Sequence, residues 1–393
     1  MFDRNRDRND GAAYDVAGGI LNVIPKGGGF DLADRNGTIK GLALLLVFLI
    51  LASAAIKMTG TNVRHDRYEE MIEAASRMEK CEEALKAERL RRGIPLDKED
   101  YLEIGLLGCS SSSITTTVGV PEAKRTSMVP DMAAMCVRIL DEAGLKKGDT
   151  IGACYSGSFP ALNIALVCAA DSMGIHIVYT AAIGASSYGA NLPEFTSPEM
   201  LCFLYEQGLI STKPAAVTLG GDGDLGQNMI GYLLGGDDGE LNAVIDRLEQ
   251  KGLKPIQIES YEENVKWRMQ LYGELDGFVN VGGNVAGTGR YNREYMQKQG
   301  ILKDSGMRLS ENSGLFEQYL RKGIPAVQLL NLKRLCLEYH IAYDPVSLEK
   351  IGTSGVYYTK TYAKPLILLT AFIAFGWLLY LFKGKDMGIK ILK

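Results

Sequence analysis

The sequence predicts an α/β protein: a doubly wound, mostly parallel, Rossmann-like sheet between two transmembrane helices. Three observations lead there. From about Leu106 to Asp344, short apolar runs alternate with helical patterns. The helices close on Gly plus an aliphatic residue, and the apolar runs open into glycine-rich polar loops. On each side of this region lies one segment that is apolar throughout and uncharged.

Residues 1–38, beginning "MFDRNRDRNDGAAYDVAGG", mix both charges with glycine and show no periodicity, which predicts a disordered segment. Residues 39–58 contain "GLALLLVFLILASAAI", enough with its flanks to reach the roughly 20 residues a membrane-crossing helix needs. The polar stretch before it is too long for a cleaved signal peptide, so it reads as a retained anchor. Residues 64–93 read as one helix whose weak apolar stripe is Met71, Ala74, Ala75, Met78, Leu85 and Leu90, ended by Gly93 and Pro95. A stripe this weak predicts a solvated stalk.

Residues 100–350 form the predicted α/β domain. Its units are "AGLKKGDTIGACYSGS", "MGIHIVYTAAIGASSYGAN", "KPAAVTLGGDGDLG", "KGLKPIQIES", "ELDGFVNVGGNVAGTG" and "KGIPAVQLLN". Gly144, Gly174, Gly252 and Gly323 stand where left-handed helix caps are needed. Short strands alternating with longer helices imply right-handed βαβ crossovers and helices on both sheet faces. Residues 365–382, "PLILLTAFIAFGWLLYLF", form the second span, with Trp377 and Tyr380 as interfacial anchors. In the basic tail 383–393, Lys383, Lys385, Lys390 and Lys393 place both termini in the cytoplasm by the positive-inside rule and send the central domain outward. The cysteines argue the other way: they are seven, an odd number without a CxxC pair, in mostly apolar surroundings that suit reduced core thiols.

A formal net charge of −4 offers no basic face for nucleic acid. Ligands of such sheets bind beyond the carboxyl ends of the strands. Four of those ends are alike: Ser156-Gly157-Ser158, Gly184-Ala185-Ser186-Ser187 running on to Asn191, Gly220-Gly221-Asp222-Gly223-Asp224, and Gly282-Gly283-Asn284. Glycine permits close backbone approach, and short polar side chains supply hydrogen bonds. Ser158 reads as the N-cap of the helix opened by Pro160, whose free amides would attract a carboxylate or phosphate. Lys124 and Arg125, in the hydroxyl-rich run "SSSSITTTVGVPEAKRTSMVPDMAAMCVRIL", are expected to face such an anion.

Catalysis is less well supported. Ser156 and Ser158 are the candidate nucleophiles, but none of His65, His176 and His340 is expected near them, which leaves a serine–lysine arrangement through Lys124. Asp222 and Asp224 are secondary candidates for a hard cation such as Mg2+, although Asp and Gly are also ordinary turn residues. No zinc cluster is expected, "GNVAGTG" does not match the dinucleotide fingerprint, and no cofactor is predicted.

"ITTTVGVPEAKRTSMVPDMAA", "SGSFPALNIA", "IGASSYGAN" and "LGGDGDLG", in this order between two apolar spans, resemble the poly-gamma-glutamate system protein family. The resemblance implies an accessory membrane protein acting beside the subunits that make and export poly-γ-glutamate, and implies no catalytic residue. It leaves three functions open: a membrane-anchored factor binding a carboxylate-bearing ligand or chain end, a γ-glutamyl hydrolase or transferase using Ser156 or Ser158, and a structural partner of the synthase membrane subunits. A domain that is not basic suits a chain end or small anion better than a groove for a long polyanion.

Overall fold

The computed structural model describes residues 32–234, 239–290, 295, 297–304, 306 and 308–382. The basic tail and most of the polar segment 1–38 lie outside these residues. The chain divides into two units, 1–61 with 360–393, and 62–359.

The first unit contains α1 (Leu32–Met58), which starts before the predicted boundary at 39, and the C-terminal apolar helix Lys364–Phe382. Gly37–Met58 spans 22 residues at mean hydropathy 2.5 and Lys364–Phe382 spans 19 at 2.2. At about 1.5 Å rise per residue, both are long and apolar enough to cross a membrane. Phe48 and Trp377 meet between them with ring centroids 6.2 Å apart.

The second unit is the α/β domain. Its six-stranded sheet comprises β2 (Thr150–Tyr155), β3 (His176–Ala182), β5 (Ala216–Thr218), β6 (Gly277–Val281), β7 (Gly300–Leu302) and β8 (Ala326–Leu329). The order across it is β5-β3-β2-β6-β8-β7, and all neighbours run parallel except edge strand β7. A separate parallel pair joins β1 (Thr115–Thr117) to β4 (Ala185–Ser186). "KGLKPIQIES", expected as a strand, makes only the bridge Ile256 to Thr218. Pro255 has no N–H to extend a ladder there.

Side chains alternate across the sheet as a two-residue period requires. Ile151, Ala153 and Tyr155 of β2 enter one core, with α4 (Asp131–Glu142), α5 (Pro160–Met173), Met200, Leu201 and Leu204 of α6 (Ser197–Glu206), and Leu335 and Cys336 from the helix Leu332–Tyr339. Cys154 and Phe278 enter the opposite core, against α7 (Tyr261–Tyr272) and α8 (Leu315–Arg321). Both faces are therefore covered, and the sheet is doubly wound. The four predicted cap glycines all adopt positive φ; Gly174, at φ 66° and ψ 34°, is the left-handed cap of α5.

One expectation is corrected. The helix predicted as a stalk is α2 (Tyr68–Arg91), but Met71, Ala74, Met78, Cys81 and Leu85 join the core with α4 and α5, and Ala75 is buried as well. Helix α5 is apolar on all sides, with every residue from Pro160 to Ala170 buried. A helix of that kind needs a second layer outside it, and α2 supplies it. Each large α2 side chain buried there contributes about 1.5–3 kcal/mol.

Candidate functional site

Strand order reverses direction at β2. The chain leaves β2 for β3 and β5 on one side, then returns to β6 and β8 on the other. The loops after β2 and β6 diverge from this switch point, where open α/β sheets form their binding crevice. A cavity of about 610 Å3 lies there, lined by Ser156, Ser158, Ser186, Asp222, Asp224 and Asn284 among others. All four loops singled out from the sequence thus meet at one rim. Backbones approach closely: a Cβ on Gly282 (φ 87°) would lie 2.9 Å from Cβ of Ser156.

The cavity's cation comes from outside the main sheet. Strand β1 aligns Thr117 with Ser186 of β4, and the chain then turns through Val118, Gly119 and Val120 into α3 (Pro121–Ser127). This route brings Lys124 onto the cavity wall, where Nζ donates to the carbonyl of Ser158 and, at 2.9 Å, to Oγ of Ser186. Nζ also stands 3.6 Å from the centroid of the Phe159 ring. Lys124 is 4% exposed, and among the described residues no carboxylate pairs with it. Burial alone lowers its pKa to about 7, because the low-dielectric wall disfavours the ammonium. Gly119 is needed for this packing: a Cβ there would meet the Ser187 carbonyl oxygen at 2.4 Å.

The serines form a relay of local bonds. Ser156 Oγ accepts from Ser158 N at 2.9 Å, and Ser158 Oγ accepts from Ser186 N at 3.0 Å. Ser158 is therefore not the N-cap of α5. Phe159 occupies that position without a side-chain cap bond, and Pro160 follows it. Ala161 and Leu162, at the helix start, are buried and do not line the cavity, so the expected cradle of helix amides is replaced by Lys124.

Other candidates are placed elsewhere. Arg125 points away from Lys124, as adjacent helical residues do. It forms a two-point pair with Asp344 at 2.8 and 2.9 Å, contacts Glu99 and covers the Tyr101 ring. This guanidinium holds the Asp344 carboxyl below its ordinary range. Arg125→Met is accordingly expected to cost about 1.5–3 kcal/mol in a urea melt, while ligand binding in the cavity is unchanged. A loss of binding at constant stability would return Arg125 to the site.

Asn191 is fully buried, bonding both the amide and the carbonyl of Cys109 and the Thr115 hydroxyl. Gly157 and Ser187 pack behind the rim: a Cβ on Gly157 would lie 2.8 Å from the Gly184 carbonyl, and Ser187 N bonds Thr117 O. Asp224 reaches the cavity but is engaged by Arg268, Thr218 and Asn264. Asp222 is exposed, and among the described residues no group of three His, Cys, Asp or Glu is arranged for a metal. His176 begins β3 at the opposite end of the sheet, and no histidine lines the cavity. Sequence reasoning missed Gly119, Phe159, Asn228, Tyr261 and Asn264 as lining residues. Only the hydroxyl-rich run around Gly119 carried a signal for any of them.

Comparison with protein-family models, curated proteins and solved structures gives no match to this chain. The functional reading therefore rests on this geometry and on the quoted motifs.

Proposed function

We propose that the α/β domain binds a small carboxylate-bearing ligand in the switch-point cavity, its anion held by the ammonium form of Lys124. The carrying observation is a buried lysine on the cavity wall that no carboxylate pairs with among the described residues. An anion is the missing counter-charge, and neutral donors such as Ser156, Ser158 and Ser186 complete its hydrogen bonding. Asp224, the acid deepest in the lining, is neutralised by Arg268 and does not oppose it. Among such ligands we favour the end of a γ-glutamyl chain, which follows from the likeness of the loop motifs to the poly-gamma-glutamate system family. On this reading the two apolar helices anchor an accessory protein in the cell membrane beside the synthase or export subunits, with the domain outward and both termini cytoplasmic.

The test is calorimetric titration of the full chain in detergent with γ-glutamyl-glutamate. Saturable binding that weakens as pH rises through about 7 and is lost in Lys124→Met supports the proposal. Absence of binding at pH 6, or binding indifferent to Lys124, overturns it.

A further inference from the structure

We propose that Ser186 and Lys124 form a serine–lysine dyad that hydrolyses a small amide or ester in the same cavity. Sequence reasoning puts the nucleophile at Ser156 or Ser158, but among the described residues no base is bonded to either hydroxyl. Ser156 Oγ is turned onto the amide of Ser158, and Ser158 Oγ onto the amide of Ser186. Among the described residues, Ser186 alone of these three serines has a basic side chain bonded to its hydroxyl, Nζ of Lys124 at 2.9 Å, within the distance required of a nucleophile and its base. Both residues are buried side chains of the cavity wall.

The surroundings suit this role in three ways. Among the described residues no carboxylate holds Lys124 as an ammonium, and desolvation in the wall frees its lone pair near neutral pH. When Lys124 loses its proton, an N–H retained by the Ser158 carbonyl keeps the amine in place, which leaves the lone pair for the Ser186 hydroxyl. Ser158 Oγ accepts from Ser186 N and uses none of its own hydrogen in a described bond. That hydroxyl is a donor for a developing oxyanion.

The reaction balances with water as the only co-reactant. Ser186 Oγ forms a bond to the substrate carbonyl carbon as its proton passes to neutral Lys124. The resulting ammonium returns this proton to the leaving amine or alcohol when the carbonyl carbon–leaving-group bond breaks, which leaves an acyl-serine. Water then attacks the ester, giving its proton to Lys124 and from there to Ser186 Oγ, and the free acid departs.

The dyad shares Lys124 with the binding proposal but does not rest on it, and the two need opposite protonation states. The experiment is reaction of the full chain in detergent with a fluorophosphonate, read by intact mass and peptide mapping, alongside titration with γ-glutamyl-glutamate. The expected result is one adduct, on Ser186, formed at a rate that rises through about pH 7. Ser186→Ala and Lys124→Met should slow labelling by at least ~100-fold, the lower end of general-base contributions. Lys124→Arg, which keeps the charge but cannot act as a base, should do the same. Ser172→Ala, remote on α5, should label normally. An adduct on another serine, no adduct up to pH 9, or a rate flat with pH overturns the dyad. If Ser186→Ala does not fold, the peptide map of the unsubstituted chain decides alone. Dipeptide binding without an adduct removes the dyad only, and an adduct without dipeptide binding removes the carboxylate reading only.

Discussion

Asp224→Ala is expected to destabilise the α/β domain by about 3–5 kcal/mol, the usual cost of leaving a buried charge without its partner. Arg268 is fully buried and its guanidinium is held by Asp224. Its Nε and Nη1 atoms already lack partners among the described residues, so the carboxylate is its main compensation. That carboxylate raises the guanidinium's pKa against a desolvation that lowers it. The substitution also takes an acceptor from Thr218 and Asn264. Asp224 has φ 66°, a left-handed conformation that aspartate tolerates better than alanine, which adds to the loss. Urea denaturation of the full chain in detergent measures the sum. A double substitution, Asp224→Asn with Arg268→Met, removes both charges and should recover much of the loss. A fall under about 1 kcal/mol for Asp224→Ala would mean that water reaches the guanidinium, and Asp224 would then no longer count as neutralised. Should the single variant remain folded, the cavity would gain net positive charge and bind a carboxylate more tightly.

How far such a site is legible before coordinates depends on the range of the interactions that make it. The sheet was legible because its cause is local: buried parallel strands need apolar runs, and their ends need glycine where backbones converge. The meeting of Ser156, Ser186, Asp224 and Asn284 follows from strand direction alone. Long-range partners left weaker marks. The α2 stripe looks too thin for a core helix because small residues, Ala74 and Ala75, carry much of it. The stronger clue lay in α5, whose lack of a polar side demands an outer layer. Arg125 was grouped with Lys124 by adjacency, though one helical step separates their directions and Asp344, far along the chain, captures the guanidinium. The pairing of Lys124 with Ser186 depends on the register of β1 against β4, strands of three and two residues. Strands that short carry almost no periodic signal.

Lys124→Met provides the second large effect, and its sign depends on pH. Burial lowers the lysine's pKa in the folded chain from 10.5 to about 7. Between these values the unfolded chain binds a proton that the folded chain does not, so stability rises with pH across that window. The contribution of Lys124 is fully present above the unfolded value and is lost as pH falls through about 7. Methionine fills similar space without a titrating group. The stability of the natural chain relative to Lys124→Met should therefore climb by on the order of 2–3 kcal/mol between pH 6 and 9. Below about pH 7 the variant should hold its advantage steadily. A carboxylate ligand changes the balance, because an anion beside Nζ favours the ammonium and raises its pKa again. Binding at pH 8 should thus take up close to one proton, seen as a calorimetric heat that varies with the ionisation enthalpy of the buffer. Parallel stability profiles for the two proteins would show that Lys124 is hydrated, and binding without proton uptake at pH 8 would show that the anion does not sit on its amine. Either result would separate the cavity from the lysine on which both functional readings depend.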